Sequence, residues 1–249
     1  MKKRLVIILS IVFIILIAAG GYVGNMFGVF SKGNYGEYSL SESVSTDSPI
    51  KGKTVIFLGS SVTYGYGSLG VSFADFLETE DGIVSVKEAV SGTTLADIKD
   101  NSYVSRLKNI DKSIKADAFI CQLSTNDATK NIPLGEVSDS KDISSFDTKN
   151  VAGAVEYIIF YVKSTWDCPV IFYTNAKYES ENYGRMVELL HKISEKWDIT
   201  VIDLWTNVEI NSISDEERRL YLVDSIHPTK AGYKEWWLPE FRKALYEIL

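Results

Sequence analysis

Short continuous apolar runs alternate along this chain with longer stretches whose apolar residues recur every three or four positions. The runs Thr54–Leu58, Ile83–Glu88, Ala118–Leu123, Val170–Thr174 and Thr200–Asp203 have strand length and strand composition. Helical patterns separate them, over Phe73–Glu78, over Ile98–Ile110, and most clearly over Val151–Trp166, where Val151, Ala154, Val155, Ile158, Ile159 and Val162 share one face. Met186, Val187, Leu190 and Ile193 mark a further helix. The last segment carries Tyr233, Trp237, Phe241, Leu245 and Ile248, and Pro239 is expected to divide it. Repeated strand-helix units predict an α/β fold of three layers, a parallel sheet of about five strands covered by helices on both faces. In such sheets the ligand site lies beyond the carboxyl ends of the strands, at a switch point. Gly59–Ser61 and Ser124–Asp127 each follow a strand directly, so both are expected at one rim.

The N-terminus reads differently. Lys2-Lys3-Arg4 precedes an uncharged stretch, residues 5–23, which as a helix would span roughly 28 Å, close to the roughly 30 Å of a bilayer core. The expectation is a single transmembrane anchor over 5–23 with residues 1–4 cytoplasmic by the positive-inside rule, and the remainder outside. A cleaved signal peptide is the competing reading, with an apolar part from Leu5 to about Leu16 and small residues at Ala18-Ala19-Gly20. Either places the rest of the chain outside the cytoplasm. Residues 24–50 shift to Gly, Ser, Asn and Tyr and read as a flexible linker of roughly 30 Å reach, unless their tyrosines pack on the domain. Residues 51–249 form one domain by length.

Charge narrows the partners. The chain carries 26 basic and 33 acidic residues, net -7, a poor match for nucleic acid or anionic lipid. Cys121 lies mid-strand and Cys168 just before a strand, so both are expected as buried free thiols rather than as a disulfide framework.

Chemistry concentrates in two places. Gly59-Ser60-Ser61-Val62-Thr63-Tyr64-Gly65 is a small-residue turn after the first strand, and Asp224-Ser225-Ile226-His227-Pro228 sets a carboxylate three residues from an imidazole. Together they supply a hydroxyl, a base and an anion to orient that base, the needs of nucleophilic acyl transfer. On chemistry alone Ser60 and Ser61 both qualify as nucleophile. The turn lacks the glycine spacing and lysine of a phosphate-binding loop, and it is not Gly-x-Ser-x-Gly. For Asp224 and His227 the plainer alternative is a turn-capping aspartate beside an incidental histidine. The other histidine of the two, His191, lies within a helical stretch and reads as a surface or boundary residue. Two histidines cannot make a histidine-rich zinc site without carboxylates, and neither metal nor cofactor is expected.

The first motif resembles the opening block of the SGNH hydrolases, the GDSL-type esterases, whose pattern is Gly-Asp-Ser-x-x-x-Gly. Ser91-Gly92-Thr93-Thr94 resembles the family's glycine block, Ser124-Thr125-Asn126-Asp127 its Gly-x-Asn-Asp block, and Asp224 to His227 its terminal Asp-x-x-His. The resemblance runs from Lys53 to Tyr233. It implies a flavodoxin-like fold and hydrolysis of an ester or related acyl bond. Carried over by position, Ser61 is the nucleophile, His227 its general base and Asp224 the group that orients the imidazole. The oxyanion hole is implied at the N–H groups of Ser61 and Gly92 and the side-chain amide of Asn126. Ser60 stands where the family has aspartate, and Ser124 where it has glycine.

The expected function is therefore an extracytoplasmic serine esterase. Placement outside a membrane suggests O-acetyl or other short acyl groups on a small molecule or an envelope polysaccharide, with Tyr64, Tyr66, Tyr178 and Trp205 as candidates to stack on sugar rings. An acyltransferase using the same serine, and a non-catalytic carbohydrate-binding protein, are the alternatives that the residues leave open.

Overall fold

The computed structural model describes residues 2–40, 44–45 and 47–249, without the side chains of residues 2–8 and 26. Five strands make one sheet: β1 Thr54–Gly59, β2 Val84–Ala89, β3 Ala118–Gln122, β4 Val170–Tyr173 and β5 Thr200–Ile202. All pairings are parallel and the order is β2-β1-β3-β4-β5. Each expected strand is present, at nearly the expected bounds. Β-strand side chains alternate between faces, and here both faces are buried. Ile56, Leu58, Phe119, Cys121, Val170 and Phe172 enter one core, and Val55, Phe57, Ala118, Ile120, Ile171 and Tyr173 the other. The result is the three-layer α/β architecture. Both cysteines are buried free thiols, as expected.

The first core is closed by α4 (Tyr103–Leu107), α6 (Val151–Thr165) and α7 (Glu181–Trp197); the second by α3 (Phe73–Phe76) and α10 (Leu238–Ile248). Side-chain oxygens fix where the helices begin. Asn150 accepts from Gly153 N at the start of α6, and Ser180 from Tyr183 N at the start of α7. Buried Glu156 on α6 is fully engaged by Lys196, Trp197 Nε1 and Ser138 N, which pins the long connection before α6. The helix expected over Ile98–Ile110 is shorter. Ser102 accepts from Ser105 N and starts α4 at Tyr103, while the Asp97 carboxylate takes the hydroxyls of Ser102 and Ser105. Pro239 changes the last segment rather than breaking it. A π-helical stretch, Gly232–Trp237, runs directly into α10 with helical backbone at Trp237 and Leu238, and the proline sits at the start of α10, just past that wider turn.

Two N-terminal expectations are corrected. A helix, α1, covers Lys2–Met26, but among the described residues no helix is long and apolar enough to cross a membrane. The flexible linker expected over 24–50 packs on the domain for much of its length. It makes two 3₁₀ turns, Lys32–Asn34 and Gly36–Tyr38, and buries Asn34 and Ile50. Ser45 N donates to Glu80 O and Ser48 Oγ to Asp81. Residues 41–43 and 46 of that stretch lie outside the described residues. Docking of this kind depends on single polar side chains and leaves no periodic trace.

Candidate active site

The sheet order makes the crevice beyond β1 and β3 the switch point, where chain connections leave in opposite directions. β1 ends at Gly59 because nothing larger fits. A Cβ there would lie 1.7 Å from Thr63 Oγ1 and 2.9 Å from Gln122 Oε1. Thr63 cannot retreat easily, since its hydroxyl is held 2.6 Å from Tyr173 OH. Gly59→Ala is expected to destabilise the fold by about 1–3 kcal/mol, read as a lower denaturation midpoint; an unshifted midpoint would mean the turn yields without strain.

Ser61 opens a one-turn helix, α2 (Ser61–Tyr64), which Gly65 ends with a left-handed residue, φ 89°. The first N–H groups of a helix have no intrahelical partner, so that of Ser61, the first residue of α2, is not spent within the helix. Its side chain is reached from the far end of the chain. His227 Nε2 lies 2.8 Å from Ser61 Oγ, and His227 Nδ1 lies 2.7 Å from Asp224 Oδ2. A carboxylate only accepts, so the ring proton belongs on Nδ1 and the Nε2 lone pair faces the serine hydroxyl. The choice between Ser60 and Ser61 is thereby resolved in geometry: Ser61 meets the imidazole.

Asp224 also shapes its own loop. Oδ1 accepts the N–H groups of Ile226 and His227, both at 2.8 Å, a local turn that fixes the imidazole's origin. An antiparallel bridge between Leu222 and Pro228, with Val223 N donating to His227 O, closes the loop behind it. Partial burial pushes the Asp224 carboxyl up, but the hydrogen bond and charge of His227, with those two N–H groups, outweigh it and hold the carboxyl below its usual range.

The other two expected blocks stand at the same rim. Gly92 is exposed in the left-handed region, φ +78°, with open space where a Cβ would be. Asn126 lies in α5 (Thr125–Thr129), directly after β3, and its Nδ2 donates to Ser60 Oγ (3.2 Å) and Thr93 O (3.0 Å). Beside it, the buried carboxylate of Asp127 accepts from Leu95 N and Ala96 N. Lys130 Nζ donates to Gly92 O. These contacts tie the glycine block to the asparagine block. Ser124 is the N-cap residue of α5 and is fully buried.

Two polar residues that periodicity and motif leave unmarked brace the site. Gln122, the last residue of β3, is buried, and its Oε1 accepts Ser60 N at 2.8 Å and Thr63 Oγ1 at 3.1 Å. It holds the turn where the family's aspartate is replaced by Ser60. Arg106 on α4 is also buried; its Nη2 donates to Gly59 O (2.7 Å) and Thr93 Oγ1 (3.1 Å), and its Nη1 pairs with Glu88. One guanidinium thus spans the residues just before Ser60 and just after Gly92. The available signal was a glutamine inside an apolar strand and an arginine on the inward side of a short helix.

Other candidates do not join the site. His191 pairs with Asp203 at 2.8 Å. Tyr178 and Trp205 pack on each other and on Tyr183. Tyr66 stays close, its ring 5.2 Å from that of His227, and Tyr64 is exposed. Among the described residues no cluster of three or more His, Cys, Asp or Glu is placed to hold a metal.

Comparison with known proteins points to one family. The GDSL-like Lipase/Acylhydrolase family profile matches residues 55–237. No match is found among curated proteins. A solved structure from Lactobacillus plantarum is similar at 18% identity and TM-score 0.66, covering 80% of this chain and 99% of that one. A member of the lipolytic protein G-D-S-L family from Veillonella parvula is similar at 15% identity and TM-score 0.57, covering 78% and 97%. At such identities these two share the fold. The match over most of the domain carries more: the chain belongs to the GDSL-like lipase/acylhydrolase family and is a hydrolase acting on ester bonds.

Proposed function

We propose that this hydrolase is an extracytoplasmic serine esterase that removes O-acetyl or similarly short acyl groups from an envelope polysaccharide or a small acylated molecule. The observation that carries the reading is the relay Asp224–His227–Ser61, with both links under 3 Å. In this mechanism Ser61 Oγ attacks the acyl carbon while His227 Nε2 takes its proton. The developing oxyanion receives hydrogen bonds from the N–H groups of Ser61 and Gly92 and from the Asn126 amide. Collapse of the tetrahedral intermediate expels the alcohol, which takes the proton back from His227. Water then attacks the acyl-enzyme by the same steps in reverse order, releasing the acid and restoring Ser61.

Short acyl groups are favoured because the accessible neighbours of Ser61 at the rim, Gly92 and Asn126, are small or polar. Export is favoured by the Lys2-Lys3-Arg4 trio and the apolar stretch behind it, which has the character of a translocation signal. The expected result is release of acetate from aryl acetates and acetylated polysaccharide, with kcat/KM at least about tenfold lower for long-chain aryl esters. That ratio reflects about 1.4 kcal/mol of differential binding. Equal or better turnover of long chains would sink the short-acyl assignment.

A further inference from the structure

Residues 27–38 lie outside the span that defines the family, 55–237, yet they reach the candidate site. Asn34 is 1% exposed. Its Nδ2 donates to Gly28 O (2.8 Å) and Gly67 O (2.9 Å), and its Oδ1 accepts from Lys230 N (2.8 Å). Gly67 sits in the 3₁₀ turn Tyr66–Ser68 that follows the Ser61 helix, and Lys230 sits three residues beyond His227. A single amide therefore joins the segment after the nucleophile to the segment after the base.

The neighbouring contacts are tight enough to transmit position. A Cβ at Gly33 would lie 2.2 Å from Leu220 O and 2.5 Å from Thr229 Oγ1. A Cβ at Gly67 would lie 2.7 Å from Val223 Cγ2 and 3.0 Å from His227 Cβ. The turning path of residues 27–38 is held at its far end by Lys234 Nζ, which donates to Glu37 O at 2.7 Å. Near its start, the ring of Phe27 lies 4.8 Å from that of Tyr66, which in turn lies 5.2 Å from the imidazole of His227. Phe27 is 41% exposed. It extends an aromatic ledge from the base out to solvent.

We propose that residues 27–38 are a strap that completes the active site. Asn34 is a positioning residue that sets the distance between the Ser61 and His227 segments, and Phe27 is a substrate-contacting wall beside Tyr66. The inference rests on the Ser61–His227 reading given above. It assigns function to a segment that the family pattern does not include.

The test uses the full chain, with active sites counted by fluorophosphonate titration so that rates refer to folded molecules. For Asn34→Ala, kcat per titrated site should fall about 10- to 100-fold, because a misplacement of about 1 Å is enough to do so, while KM for an aryl acetate changes by less than about threefold. Asn34→Asp retains the acceptor for Lys230 N but cannot donate to Gly28 O and Gly67 O, and it should show the same loss. A merely structural amide would lower the melting temperature and leave kcat per site unchanged, and that result overturns the assignment of Asn34. Should the Asn34 variants fail to fold, Phe27→Ala at the exposed ring decides whether the strap belongs to the site. KM should rise about threefold to tenfold, the worth of one aromatic contact, and an unchanged KM overturns the proposal. An inactive wild-type chain that resists the probe would instead overturn the esterase reading itself.

Discussion

Ser61→Ala is expected to lower kcat for aryl acetate hydrolysis by about 10³-fold or more and to abolish labelling by a fluorophosphonate. The hydroxyl is the only oxygen of the nucleophile turn that meets His227, at 2.8 Å. Its neighbour Ser60 is fully buried and turned toward Gln122 and Asn126, so it cannot substitute. The residual rate measures what the oxyanion donors contribute without a covalent step. Little loss of thermal stability should accompany the change, since Ser61 Oγ braces no part of the core. A variant retaining more than a tenth of the wild-type rate would show that acyl transfer does not pass through Ser61.

Asp224→Asn is expected to cost about 10³- to 10⁴-fold in kcat at neutral pH. The side chain keeps its shape, but an amide oxygen no longer demands the Nδ1 proton and an amide nitrogen competes to donate. The imidazole then spends much of its time with the proton on Nε2, facing Ser61 with no lone pair to offer. The pH profile separates this from a simple loss of charge. In the native chain the Asp224 carboxyl is held below its usual range and stays ionised into acid. Protonation of Asp224 should therefore cost activity only below the usual carboxylate range, where the imidazole loses its orienting anion. A loss traceable to Asp224 at or above that range would contradict the geometry at Asp224. Combining Asp224→Asn with Ser61→Ala should cost no more than Ser61→Ala alone, because groups that act as one unit lose their effect together.

Legibility differed by scale. The central strands were readable because they are buried on both faces, so β1 and β3 appear as unbroken apolar runs, bounded by Gly59 at one and polar Gln122 at the other. The helix α6 was readable because its apolar face recurs over four turns. The short helices α2 and α5 were not, since the four or five residues of Ser-Val-Thr-Tyr and Thr-Asn-Asp-Ala-Thr carry no period. Ser61, Asp224 and His227 were found through motif and chemistry together, and the structure brings them into contact. Gln122, Arg106 and Asn34 escaped notice because their importance arises only from what the fold places around them. A buried polar side chain is informative when its partners are known, and most of those partners lie on other segments, such as Ser60 for Gln122, Gly59 for Arg106 and Lys230 for Asn34. The docked residues 27–40 illustrate the same point, for a Gly- and Ser-rich composition describes a free coil and a tightly packed strap equally well.

The two ends of the chain meet at the reaction centre: 166 positions separate Ser61 from His227, and 196 separate Asn34 from Lys230. Loop closure over such lengths comes late, after local contacts have formed. Hydrolytic competence should thus appear only when synthesis and folding are essentially finished. A chain still emerging from synthesis would hold its serine without its base, and so remain harmless to any ester it meets.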